Sequence, residues 1–404
     1  MSGLRLILMI AVVFGAGPAL AQGLTALARV DAAASSVVDT PTGAELVLSL
    51  SQPVPFRVFT LDAPRRLVLD FSEVAWDGLR AGGFDRSDAV DSVAMGAFRP
   101  GWSRMVLELG APLAVRTAEM QTGDDARVLV ALQRVSGAEF TARAGAPEVA
   151  GFLLPKPEVL DQPRPRQRGD RPVVVVLDPG HGGIDPGAER GETVEADLML
   201  QFARELREVL LRAGGFEVML TRDDDIFVPL EMRQSLARAM GADVFISLHA
   251  DALTEGRAAG ATVYTLAEDA SDVASAKLAE RHDRADLLAG VDLTDQDDVI
   301  AGVLMELARA ETAPRSDRLA DALVAGLRDN IGTMHKRPRM EASFSVLKAP
   351  DIPAVLIELG YISSARDLVN LTSTDWRAQA ATGIRDALQT WAIEDAAEAA
   401  LLRQ

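Results

Sequence analysis

Two of the chain's four histidines each close an apolar run that reads as a core strand. His181 follows Val173-Val174-Val175-Val176-Leu177-Asp178-Pro179-Gly180 and opens onto Gly182-Gly183. His249 ends Asp243-Val244-Phe245-Ile246-Ser247-Leu248 and precedes Ala250-Asp251. In an open parallel sheet, ligands gather outside the carboxyl ends of the strands, so side chains far apart in sequence converge there. Two neutral imidazoles meeting at that edge suit a divalent metal, and flanking glycines allow its close approach.

A catalytic zinc site commonly has three protein ligands and keeps one position for water. The third should be an acid near the first turn. Glu195 fits, because it opens the helix that carries Leu198 and Phe202 and so has a fixed direction; Glu189 and Glu192 are rivals in the loop of Gly187 and Gly191. Asp178 or Asp251 is a candidate for orienting the ligands from behind. Hydrolysis also needs a base. Glu358 sits among apolar residues at the end of Val355-Leu356-Ile357, where an unpaired carboxylate is costly. It would take a proton from the attacking water and return it to a departing amine, helped by a pKa raised through burial. Any one of these groups alone is more often structural. Four of them at ends of core strands, or just after one, point to a site. Asp223-Asp224-Asp225 reads instead as a solvated acidic turn, and His335, beside Lys336-Arg337, as structural or at the substrate rim.

The elements that must position these groups belong to a second domain, since 404 residues exceed what one core usually holds. From Thr25 to about Leu132, short alternating or β-branched runs separated by Pro, Gly and Asp predict a small antiparallel β domain over residues 22–135. Residues 136–171, centred on Pro163-Arg164-Pro165-Arg166, read as an extended linker. Residues 172–392 alternate strand and helix patterns, which predicts an α/β domain with a mostly parallel sheet covered by helices. Leu198, Phe202, Leu206, Val209 and Leu210 share one helical face, and Gly214-Gly215 ends that helix before a strand at Glu217–Leu220. Ser235–Met240 is a further helical turn, Val355–Leu359 is the last clear strand, and residues 393–404 are left as a tail. The acidic stretch 269–315 exceeds what a connection requires and predicts helix, with Val299, Val303, Leu304 and Leu307 on one side.

Composition removes other classes. A net charge of -18 with no basic stripe argues against nucleic acid, and the absence of Cys excludes thiolate ligands and thiol nucleophiles. Arg5, the apolar run Leu6 to Phe14 and Ala19-Leu20-Ala21 read as an export signal cut after Ala21. No later segment is apolar enough to span a bilayer, so the expected location is the periplasm.

Residues 172–392 resemble the zinc-dependent N-acetylmuramoyl-L-alanine amidases of the amidase type 3 family. The resemblance is carried by Leu177-Asp178-Pro179-Gly180-His181-Gly182-Gly183, Glu195, Ser247-Leu248-His249-Ala250-Asp251 and Val355-Leu356-Ile357-Glu358-Leu359-Gly360-Tyr361-Ile362-Ser363. It implies zinc on His181, Glu195 and His249, Glu358 as acid/base, and peptidoglycan as substrate, cut between N-acetylmuramic acid and L-alanine. The family often has Lys after the ligand Glu, where this chain has Ala196. The N-terminal part resembles an AMIN domain through Phe59-Thr60-Leu61-Asp62-Ala63-Pro64-Arg65-Arg66-Leu67-Val68-Leu69-Asp70-Phe71. Such modules direct exported wall proteins, often to the division site, and would concentrate the enzyme on its polymer.

Cell-division members of the family carry an inserted helical segment that covers the zinc cleft until a LytM-type activator displaces it. Residues 269–315 match in place and character, including Ala285-Asp286-Leu287-Leu288-Ala289-Gly290-Val291-Asp292-Leu293. Glu280, His282 and Asp283 cluster where a capping group is expected, and His282 or Glu280 would fill the fourth zinc position at rest. Two rival readings remain: a non-catalytic wall-binding scaffold, which would have no need of Glu358, and a different zinc hydrolase, such as a carboxypeptidase or sugar deacetylase.

Overall fold

The computed structural model describes residues 27–72, 74–99, 101–122, 126–146, 166–252, 259–267, 269–283 and 303–401, without the side chains of Ala81 and of residues 303–308. The export signal, the segment Ala285–Leu293 and Val299 lie outside the described residues.

The N-terminal domain is a sandwich of two sheets. One has five strands in the spatial order Leu113–Gln121, Ala126–Arg134, Gly43–Leu50, Ser36–Thr40 and Asp85–Arg86. The other orders Phe56–Leu61, Arg66–Ser72, Trp102–Leu109 and Val90–Arg99 with antiparallel neighbours throughout. Leu46, Leu48, Leu67, Leu69, Leu107 and Val130 fill the space between them. The strands Ser36–Thr40, Val90–Arg99 and Leu113–Gln121 were not legible in the sequence: the first is short, the second is diluted by Gly96 and alanines, and the third exposes most of its length.

In the second domain the sheet runs Phe216–Leu220, Val173–Pro179, Val244–His249, Ala354–Glu358, Ala261–Leu266, Met334–Ala342. The first four strands are parallel, and the last two run opposite to them. Val175, Leu177, Ile246 and Ile357 face one helical layer, and Val176, Phe245 and Leu356 face the other. Burial on both faces is why these strands are continuously apolar. One layer holds the helices Glu195–Ala213, Val303–Ile331 and Thr374–Leu401; the other holds Leu230–Ala239 and Val273–Asp283. The first helix begins at Glu195 as expected and stops at Gly214, whose φ of +73° a side chain would strain.

Three expected boundaries change. The linker is shorter, because Ser136 caps a helix Gly137–Arg143 and Arg166 and Gln167 are already tied to the last helix. The helix expected over Ser235–Met240 starts at Leu230, directly after Pro229. Residues 393–401 are no tail: Thr374–Leu401 is one helix, and Asp395 is buried between Arg166 and Arg315. Among the described residues, no helix is long and apolar enough to cross a membrane.

Candidate metal and catalytic centre

The sheet changes direction at its middle. From Val173–Pro179 the chain moves outward to Phe216–Leu220 and then crosses back to Val244–His249 on the other side. Such a reversal leaves an open crevice at the strand ends, and His181 and His249 stand on its two lips. On the next strand, Glu358 is the register partner of His249.

Glu195 is fully buried at the first turn of its helix. One carboxylate oxygen, Oε1, lies 3.3 Å from His181 Nε2 and 3.2 Å from His249 Nδ1 and accepts from the Ala250 amide, while Oε2 accepts from the Ala188 amide. Glu189 and Glu192, the rivals, are exposed. Burial alone would raise the Glu195 pKa, but the two imidazoles outweigh it and hold the group well below the usual carboxylate range. Burial would likewise lower His181, yet the charges of Asp185 and Glu195 raise it well above an ordinary histidine. His249 is pushed down to about 3 by burial and by the neighbouring His282 and His181.

Space around these groups is set by glycine. A Cβ on Gly180 would collide with the His249 ring, and one on Gly187 would stand 2.6 Å from His181 Cδ2 and 2.8 Å from Glu195 Oε2. His181 itself has a φ of +60°, a left-handed conformation that costs a non-glycine residue of order 1 kcal/mol. Two buried arginines hold it there. Arg222 donates to the carbonyls of Pro179, Gly180 and Ala196, and Arg233 to those of Pro179, His181 and Val228. Arg233 also pairs with Asp178 at 2.8 Å, and Asp178 accepts from Thr221 and Ser247. Asp178 therefore braces strand ends, its two oxygens taken by Arg233, Thr221 and Ser247. The group that orients His181 is Asp185, whose Oδ2 lies 2.7 Å from Nδ1. The sequence reading missed Asp185, Arg222 and Arg233; an acid four residues beyond His181 in a glycine-rich loop was the available signal.

Glu358 is fully buried and accepts from the Asp251 amide at 3.1 Å. Burial, then the charges of Glu195 and Asp251, push its pKa well above the ordinary value. The helix Val273–Asp283 lies across the crevice and brings His282 in. Its Nε2 is 3.4 Å from Asp251 Oδ2 and 3.9 Å from Glu358 Oε1, and its ring packs 4.1 Å from that of His249. Arg281 pairs with Asp251 at 2.6 Å. Glu280, the other capping candidate, is exposed. Asp283 accepts from the Ser345 amide, and His335 Nδ1 lies 3.0 Å from its neighbour's carbonyl, that of Arg337. Asp223 pairs with Arg204 and Arg207, so only part of the acidic turn is merely solvated; Asp225 accepts from the Gly183 amide.

The donor set fits a divalent cation. His181 Nε2, both nitrogens of His282, Asp251 Oδ2 and Glu358 Oε1 are buried without a hydrogen-bond partner among the described residues. The cost of such an atom left without a partner is about 1–3 kcal/mol. A cation and its water would relieve most of it. Ligand nitrogens of His181, His249 and His282 lie within 4.8 Å of one another.

A switch-point crevice that sets two imidazoles and a carboxylate beside a second, buried carboxyl suits a hydrolase acting through activated water. Comparison with known sequences says which one. The Amidase_3 family, described as N-acetylmuramoyl-L-alanine amidase, matches residues 175–390, and the AMIN domain matches residues 36–138. N-acetylmuramoyl-L-alanine amidase AmiC of Escherichia coli O6:H1 is 31% identical over 373 residues, 86% of each chain. AmiC of Neisseria meningitidis serogroup B is 31% identical over 380 residues, 89% of each chain. AmiA of Escherichia coli K12 is 38% identical over 227 residues, 56% of this chain and 78% of its own. The chain belongs to the N-acetylmuramoyl-L-alanine amidase family and carries an AMIN domain at its N-terminal side. It is an amidase of peptidoglycan, which removes the scaffold and the carboxypeptidase or deacetylase readings.

Proposed function

We propose that the enzyme is zinc-dependent, with His181, Glu195 and His249 as ligands and Glu358 as catalytic acid/base. The observation that carries this reading is the spacing of the donors. Atoms about 2.0–2.1 Å from a shared tetrahedral ion stand about 3.3 Å apart, and Glu195 Oε1 is 3.3 Å and 3.2 Å from the two histidine nitrogens. Held by these three side chains, zinc would supply polarisation of the scissile carbonyl and a bound water with a pKa of about 7. Glu358, through Oε1, would take one proton from the attacking water as its oxygen bonds to the lactyl carbonyl carbon, and would return that proton to the L-alanine nitrogen as the C–N bond breaks, leaving a carboxyl group on the muramic acid side and a free amine on the peptide. Asp185 keeps Nδ1 of His181 engaged, which leaves Nε2 as the donor.

The resting state proposed here is autoinhibited. His282 supplies a fourth donor at the position substrate or water needs, and the pair Arg281–Asp251 fastens its helix over the crevice. A LytM-type activator would draw the helix Val273–Asp283 away. The setting is the periplasm after removal of residues 1–21, with the AMIN domain directing the enzyme to septal peptidoglycan during daughter-cell separation. The test is mass spectrometry of the products released from purified sacculi, with and without zinc. Free lactyl groups on muramic acid and peptides beginning with L-alanine, formed only with zinc, are the expected result. Zinc-independent release of the same products would overturn the metal reading.

A further inference from the structure

We propose that the N-terminal domain is a wall of the catalytic site, fixing the loop that carries His181, in addition to any role in binding polymer. The inference rests on His181 being a metal ligand. The strand Val90–Arg99 abuts the turn that follows His181: the Ile184 amide donates to the Ala97 carbonyl at 2.9 Å. Phe98 stacks on Phe227 with ring centroids 6.2 Å apart. Ile184 and Phe227 join Phe59, Leu61, Phe98 and Val106 in one buried apolar cluster that spans both domains.

The fit is backbone against backbone. A Cβ on Gly96 would collide with the Gly183 carbonyl, and a Cβ on Gly183 with the Ala97 carbonyl. A glycine inside a strand is unfavourable for the strand itself and marks close approach of another chain segment. Gly96 answers to the catalytic loop, not to its own sheet.

The contact reaches the site by two short routes. Ile184 is three residues from His181, and the Gly182 amide closes that turn onto Asp185, the residue that orients the His181 ring. Phe227 lines the crevice beside His181, His249 and His282, and Val228, its neighbour, accepts from Arg233. Undocking would uncover Ile184 and Phe227 and release the outer side of a loop already held in a left-handed conformation.

The test is Gly96→Val in the full chain. Valine favours a strand, so the N-terminal domain keeps its fold while the docked arrangement is blocked. Three quantities are compared with wild type: amide exchange over residues 182–185 and 226–228, zinc affinity by chelator competition, and turnover of a soluble muropeptide that needs no polymer binding. Faster exchange in both segments, with zinc affinity and turnover each lower by about tenfold, is the expected result. Unchanged exchange, or faster exchange with unchanged affinity and turnover, overturns the proposal. Phe98→Leu, which keeps apolar bulk but loses the stacking, should shift the same quantities less and in the same direction; no shift in either variant contradicts docking. A wild type that binds no zinc would defeat the metal reading instead, and exchange with muropeptide turnover would still decide this one.

Discussion

Nδ1 of His181 lies 2.7 Å from Oδ2 of Asp185, so the ring is anchored on one nitrogen and presents the other to Glu195. With carboxylates on both sides the imidazole holds a proton above the usual histidine range, despite a burial that opposes it. A metal must displace that proton from Nε2. Zinc binding near neutral pH should therefore release about one proton, and affinity should keep rising with pH beyond about 6.5, the ordinary histidine value. Calorimetry in buffers of different ionisation enthalpy measures this directly. Affinity that levels off below pH 6.5 would contradict the assignment.

Glu358 predicts the acid limb of the pH–rate profile. Its pKa is raised first by burial and then by the charges of Glu195 and Asp251; a bound cation would offset part of the charge contribution and leave the burial. A base must be deprotonated, so kcat/KM should rise with pH through a midpoint above the ordinary Glu value of about 4.3. Glu358→Gln should lower kcat by about 100-fold or more and leave zinc content unchanged. A variant with near-normal kcat would remove Glu358 from the mechanism.

Arg233 carries the clamp on the His181 loop. Arg233→Lys keeps one charge but loses the planar fork, so the carbonyl of Val228 or of His181 loses its donor, while Pro179 keeps Arg222. A stability loss of about 1–3 kcal/mol per orphaned carbonyl is expected in chemical denaturation. Zinc affinity should fall about 10- to 100-fold. A purely structural role would lower stability alone.

The proposed autoinhibition is tested at His282. His282→Ala removes the fourth donor and leaves the Arg281–Asp251 pair in place. Basal turnover without an activator should rise by about tenfold, the effect of about 1.4 kcal/mol on the open fraction. Unchanged or lower turnover by a folded variant would contradict autoinhibition by this residue.

The sequence carried the strand-end groups well because a parallel sheet concentrates chemistry at one edge, and apolar runs ending in His181, His249 and Glu358 are hard to mistake. Glu195 was legible as the start of an amphipathic helix. Asp185, Arg222 and Arg233 were not, because what they do is hold backbone and rings in place through contacts that span up to 55 residues. The last helix hid for a related reason. Its final turns look like polar tail until Asp395 is seen to meet Arg166 and Arg315, 229 and 80 residues away. Gly96 is the extreme case: alone it weakens a strand prediction, and only the turn at Gly183 explains it.

Zinc content after purification, measured by plasma mass spectrometry on wild type and on His181→Ala, Glu195→Ala and His249→Ala, bears most directly on the centre described here. Wild type should carry about one zinc per chain and each variant less than about a tenth of that at equal free zinc. Equal zinc in wild type and in all three variants would mean that these side chains do not form the site.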